Sequence, residues 1–230
     1  TLAELGANPA VRAVVLRGDG DKAFVSGADI SEFGEKRNDP AGVAAYDAAV
    51  ANAQAALASL RCPVIAAVSG VCYGGGLGLI LACDLRYAAP NARFRMPAAR
   101  LGLGYAFKGI QRMAAVLGVA RASELFYTAR VYGAEEAARI GLVSGLHDDV
   151  FAWAAATAAE IAANAPLTVQ AAKQAFNAVL KSADAQAASA DIAADIAAVD
   201  VAVKACFKSD DYAEGRAAFA EKRTPDFKGR

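Results

Sequence analysis

Residues 64–84, VIAAVSGVCYGGGLGLILACD, decide how the rest of the chain is read. Val64 to Val68 form an apolar run bounded by Pro63 and by Ser69-Gly70, and this predicts a buried strand ending in a small turn. Gly74, Gly75 and Gly76 follow, and the apolar stretch from Leu77 to Cys83 predicts a helix. Glycines at a helix start let a ligand come close to the backbone, because no Cβ stands in the way. The first amides of a helix have no internal partner, and the helix dipole there favours negative charge. The segment is therefore either an anion or oxyanion pocket or a close-packed strand–helix turn.

Upstream, residues 2–5 read as a short helix ending near Gly6, and residues 12–17 (RAVVLR) as a strand. Residues 23–26 form an extended piece that runs into Gly27-Ala28-Asp29-Ile30. An alanine-rich helix is expected from Asp39-Pro40 to about Leu60. Downstream, residues 85–88 read as a strand, residues 91–94 as a hairpin arm and residues 101–104 as a glycine-spaced loop. Helices are expected at 109–117, 120–128 and 132–140, the last stopped by Gly141, with a short strand at 142–146. From Val150 onward the pattern is almost wholly helical. The expected division is a β/α body over residues 1–160 and a helical region over 161–230.

Composition narrows the function classes. The 230 residues suffice for a substantial core. Apolar residues make up 56%, but much of this is alanine, and glycines or charges interrupt every apolar stretch before it reaches the roughly 20 residues a membrane span requires. Lys+Arg and Asp+Glu both number 24, so no global charge draws the chain to nucleic acid or membrane. Cys62, Cys72, Cys83 and Cys206 have no metal-binding spacing and read as free thiols in a reducing cytoplasm. The single histidine, His147, cannot supply a multi-histidine metal site and reads as a solvated surface residue, so no metal is expected. No signal peptide is visible, and the chain opens at Thr1 already in helical text, which suggests an upstream piece.

Read together, the glycine turns at 22–30 and 74–76 could each aim a backbone N–H at one thioester oxygen and stabilise an enolate. Five segments carry a resemblance: KAFVSGADI, PVIAAVSGVCYGGG, ACDLRYA, EAARIGLV and DDYAEGRAAFAEKRTPDF. In this order and spacing they resemble the enoyl-CoA hydratase/isomerase (crotonase) superfamily over nearly the whole chain. The resemblance implies an α/β fold, a spiral of β-β-α units, whose helical C-terminal region builds trimers or hexamers. It also implies that the family's first strands lie upstream of Thr1. The ligand would be an acyl-CoA thioester, with coenzyme A as part of the substrate and no separate cofactor. The oxyanion N–H donors fall on Ala28 and Gly75. Lys22, Gly27, Asp29 and Gly74 would lie along the CoA path, and Phe219 and Lys222 would help hold its nucleotide end.

One departure limits the transfer. The two glutamates that family hydratases use fall on Gly78 and Ala98, which can neither take nor give a proton. Water addition needs a base for water and an acid for the α-carbon, so the usual hydratase mechanism does not carry over. Tyr105, in LGY at 103–105, resembles the tyrosine of some crotonase-like decarboxylases of malonyl-type CoA esters. The alternatives are therefore a hydratase or isomerase of altered chemistry, a decarboxylase or other enolate-forming lyase using Tyr105, and a catalytically silent acyl-CoA binder. A serine hydrolase lacks its Gly-x-Ser-x-Gly elbow, and the glycines at 74, 76 and 78 lack the spacing and following acid of a dinucleotide fold.

Overall fold

The computed structural model describes residues 1–27, 40–182 and 189–230. Its elements begin with helix α1 (Leu2–Ala7), strands β1 (Val14–Arg17) and β2 (Ala23–Val25), and helix α2 (Pro40–Ala58). Strands β3 (Val64–Val68) and β4 (Val71–Tyr73), helix α3 (Gly75–Ala82), and strands β5 (Leu85–Ala88) and β6 (Arg93–Arg95) follow. A 3-10 turn, Ala98–Arg100, leads into α4 (Phe107–Leu117), α5 (Val119–Thr128), β7 (Tyr132–Gly133) and α6 (Ala134–Arg139). Helices α7 (Val150–Ala163), α8 (Pro166–Ser182), α9 (Ser189–Phe207) and α10 (Asp210–Glu221) complete the chain.

Strands β1 to β6 alternate between two sheets, and β7 joins the second. One sheet has the order β1-β3-β5 and the other β2-β4-β6-β7. Each turn of the chain thus lays one strand in the first sheet, crosses to the second, and returns through a helix. Repetition of that path makes the neighbours β1/β3/β5 and β2/β4/β6 parallel. This is the spiral of β-β-α turns, followed by a helical C-terminal region, that the family resemblance implies.

The central strand β3 is buried on both faces, which is why its sequence is continuously apolar. Val64, Ala66 and Val68 face the main core with Phe24, Cys72, Leu77 and Phe94. Ile65 and Ala67 face the other way, onto Val150 and Ala154 of α7. Helix α7 therefore closes the outer face of the β1-β3-β5 sheet, and it runs unbroken across the expected 160/161 boundary to Ala163. Among the described residues no helix is long and apolar enough to cross a membrane.

Four local expectations are corrected. Residues 91–94 are not a hairpin arm: β6 pairs in parallel with β4, about twenty residues earlier in the chain. Strand β4 itself was hidden between Gly70 and the glycine triplet, and it is only three residues long. Tyr132 and Gly133 do not begin a helix but form β7, antiparallel to β6, with α6 starting at Ala134. Residues 142–146 form no strand; only an isolated bridge joins Leu146 to Ala88. His147 is not freely solvated but half-buried, stacked on Trp153 at 3.8 Å between ring centroids.

Buried polar contacts fasten the segments. Gly70 turns with φ 65°, and a Cβ there would strike the Lys22 carbonyl, so only glycine fits this crossing from β3 to β4. The Asn91 side chain accepts from Gly70 N at 3.2 Å and from Ser69 Oγ at 3.1 Å. The tail folds back onto the body. Asp211, buried on α10, accepts from the amides of Lys228 and Gly229 at 2.6 and 2.8 Å. Arg12 donates to the carbonyls of Ala162 and Phe227, both at 2.9 Å.

Candidate active site

Three adjacent glycines do three different jobs where β4 passes into α3. Gly74 has φ 52° and ψ −113°, a conformation that side chains with a Cβ rarely adopt. Its amide donates to Arg95 O at 2.9 Å, and its carbonyl accepts from Leu77 at 3.0 Å and Gly78 at 3.3 Å. Gly76 is packed so closely that a Cβ would sit 2.7 Å from Val25 Cβ. Between them Gly75 is exposed, and a Cβ on it would meet nothing within 4 Å. Its amide, the first of α3, has no hydrogen-bond acceptor among the described residues.

The two glycine turns meet. A Cβ on Gly74 would lie 3.9 Å from Gly27 Cα and 3.8 Å from the Pro97 ring. Gly27 itself has φ 114°, and its own Cβ position lies 3.7 Å from Tyr73 O. The ends of β2 and β4 thus lie side by side, which the parallel pairing of these strands requires. Ala28 and Asp29 lie outside the described residues.

One turn further into α3 lies a fourth glycine, Gly78. Gly78 is buried, as is Ala98 in the 3-10 turn after Pro97, and neither carries an ionisable group. The Tyr105 hydroxyl stands 3.6 Å from where a Gly78 Cβ would be. Its ring meets Phe126 edge-on at 5.6 Å between centroids, and a Cβ on Gly109 would strike that ring, so Gly109 makes room for it. Burial pushes the Tyr105 pKa above the ordinary phenol value. The group therefore stays protonated and acts as a hydrogen-bond donor, not a base. The atom nearest the Gly78 Cβ position belongs to a residue that sequence reading passed over. Gln54 of α2 brings its Nε2 to 2.5 Å. Its signal was legible: Val43, Tyr46, Val50, Gln54 and Leu57 recur at helical spacing, and Gln54 is the carboxamide in that inward stripe.

The remaining expected site residues lie elsewhere. The Lys22 side chain is exposed just before β2, and its carbonyl accepts from Val71 at 3.1 Å. Phe219, 88% exposed, lies on α10, and Lys222 ends that helix with φ 55°. Phe219 lines a groove of about 810 Å³ with Ala171, Val203, Phe207, Tyr212 and Phe227; no described residue of the glycine turns borders it. Asp84 is structural: it accepts from Val64 N at 2.7 Å and pairs with the buried Lys173 ammonium at 2.8 Å.

The whole chain, residues 1–230, matches the family model described as enoyl-CoA hydratase/isomerase. It is 37% identical over 226 residues to the short-chain-enoyl-CoA hydratase of Clostridium acetobutylicum, a match spanning 96% of this chain and 82% of that protein. To the crotonyl-CoA hydratase of Syntrophomonas wolfei it is 36% identical over 222 residues, spanning 96% and 82%. Among solved structures, an enoyl-CoA hydratase/carnithine racemase from Magnetospirillum magneticum matches at TM-score 0.86 and 35% identity, over 100% of this chain and 83% of that one. An enoyl-CoA hydratase from Bacillus anthracis matches at TM-score 0.86 and 33% identity, over 100% and 86%.

Proposed function

The chain belongs to the enoyl-CoA hydratase/isomerase family, and from that premise we propose that it acts on an acyl-CoA thioester whose oxygen is held on the Gly75 amide while an enolate forms. One observation carries this reading: Gly75 N–H is unpartnered among the described residues, exposed and at the start of a helix. A donor fixed in advance stabilises charge at the moment it develops, without reorganisation. The second donor of the pair is the Ala28 amide. Gly27, Gly74, Lys22 and Asp29 follow the CoA chain, and Phe219 and Lys222 take its nucleotide end, where a lysine supplies a point charge for phosphate. Exposed apolar side chains on α8–α10, Phe176, Val179, Val201 and Phe207 among them, support assembly into a trimer or hexamer. The free thiols support a reducing compartment, the cytoplasm.

With Gly78 and Ala98 in place of carboxylates, the reaction is one that needs a stabilised enolate more than a water-activating base. The neutral Tyr105 hydroxyl favours a second reading, a decarboxylase or other enolate-forming lyase in which it orients the acyl group by donation. Titration calorimetry with crotonyl-CoA, beside a hydration assay, tests the function. Binding is expected, with hydration slowed by the roughly 10²–10⁴-fold that general acid–base groups supply. No binding by any acyl-CoA sinks the reading, and binding with no turnover of any thioester turns it into a silent binder. Tyr105→Phe with unchanged turnover removes Tyr105 from the chemistry.

A further inference from the structure

We propose that Gln54 is a specificity-determining residue of the acyl site, selecting acyl chains that carry a neutral oxygen, a hydroxyl or oxo group, over plain hydrocarbon chains. The inference rests on the acyl-CoA reading above and adds the class of acyl group to it. Gln54 lies one turn from Val50 and one from Leu57, on the face that α2 turns inward, while Ala51, Asn52, Ala53 and Ala55 beside it are exposed. Packing alone calls for an aliphatic side chain at such a position.

The carboxamide instead reaches over Gly78. The three heavy atoms nearest the Gly78 Cβ position are Gln54 Nε2 at 2.5 Å, Gln54 Cδ at 3.3 Å and Tyr105 Oη at 3.6 Å. The position that a side chain at 78 would take is occupied by the Gln54 carboxamide, with the Tyr105 hydroxyl beside it, two uncharged polar groups. Neither has a hydrogen-bond partner among the described residues. Both are half-buried, so each is partly withdrawn from water and gains from a partner that a ligand brings. A hydrocarbon chain entering here would cover the two groups and leave them unpaired, whereas a neutral oxygen would satisfy both. A carboxylate fits less well, since the three atoms nearest that point belong to uncharged groups and a desolvated anion needs a cation.

Acetoacetyl-CoA and butyryl-CoA have the same chain length and differ by one oxo oxygen, so their affinities isolate this contact. Calorimetry on the wild-type protein is expected to give acetoacetyl-CoA about tenfold tighter binding, the scale of one or two neutral hydrogen bonds. Gln54→Met keeps length and helix propensity and removes the amide. It is expected to reduce that preference to within about twofold, while butyryl-CoA affinity and Tm stay near wild type. Tyr105→Phe, which deletes one hydroxyl, provides the same readout should Gln54→Met fold poorly, and is expected to lose about half the preference in logarithmic terms. Equal binding of the two thioesters by the wild type, or a preference that survives Gln54→Met, overturns the assignment and leaves the acyl-CoA reading standing. Failure of both thioesters to bind the wild type counts against the acyl-CoA reading itself.

Discussion

At its N-terminus α3 presents Gly75 to solvent with an amide that finds no acceptor among the described residues, whereas at its C-terminus the same helix ends in satisfied contacts. Arg86 donates to Cys83 O at 2.8 Å and Arg112 to Leu81 O at 3.3 Å. Asp84 takes Val64 N and the Lys173 ammonium, and Lys173 also reaches Cys62 O at 2.8 Å. Every helix leaves free amides at one end and free carbonyls at the other. Here cations and backbone complete the carbonyl end, where positive charge also suits the dipole. The amide end is left open. On the proposed function, stability and chemistry lie at opposite ends of one eight-residue helix.

The sharpest way to break this contrast is to remove the open amide. Gly75→Pro does so, because proline is tolerated at the first position of a helix and Gly75 N–H gives up no bond within the protein. Steady-state kinetics on a turned-over acyl-CoA are expected to lose about 10²–10³-fold in kcat/KM, the usual cost of one oxyanion donor. Thermal melting should remain close to wild type. Unchanged kcat/KM in a folded variant would mean that the thioester oxygen is held elsewhere.

The opposite end should respond in the opposite sense. Lys173→Met removes the ammonium that neutralises Asp84 and caps Cys62 O, and leaves a carboxylate 30% exposed at the end of α3. A fully buried pair broken this way costs several kcal/mol; partial access of water to Asp84 brings the expected loss to about 2 kcal/mol. Urea denaturation should register it as a lower midpoint with unchanged slope. The folded fraction should keep its KM. A large KM change would show that the two ends are coupled through the helix.

The contrast also marks what the sequence disclosed. Strand β3 was legible because both of its faces are covered, so its apolar run needs no alternation. The glycine triplet was legible because close approach and unusual backbone angles demand glycine at Gly74 and Gly76. Strands β4, β6 and β7 were obscured because they are two or three residues long and take their partners from distant turns of the spiral. Asp84 holds the Val64 amide, but its pairing with Lys173 joins residues 89 apart in sequence, which no local pattern signals. Gln54 was readable as a polar residue in an apolar stripe. Its approach to Gly78 was not, since it depends on how α2 lies against α3.

The smallest expected effect concerns Cys83, which ends α3 with its thiol against Leu79 O at 3.4 Å. Burial pushes its pKa up to about 12; Asp84 adds to the rise, while Arg86, Lys173 and Arg112 oppose it. Burial likewise raises Cys72 on β4. Alkylation proceeds through the thiolate, and an ordinary thiol is mostly ionised at pH 9. Iodoacetamide at pH 9, followed by peptide mass spectrometry, should therefore leave Cys83 and Cys72 unmodified over a time that labels all four cysteines in urea. Lys173→Met should speed labelling of Cys83 more than of Cys72, because it loosens the end of α3 that encloses the first; this opening outweighs the loss of the Lys173 charge, which by itself raises the Cys83 pKa further. Equal acceleration at both would instead mean that Lys173 supports the whole fold, and that the closed end of α3 is not a local device.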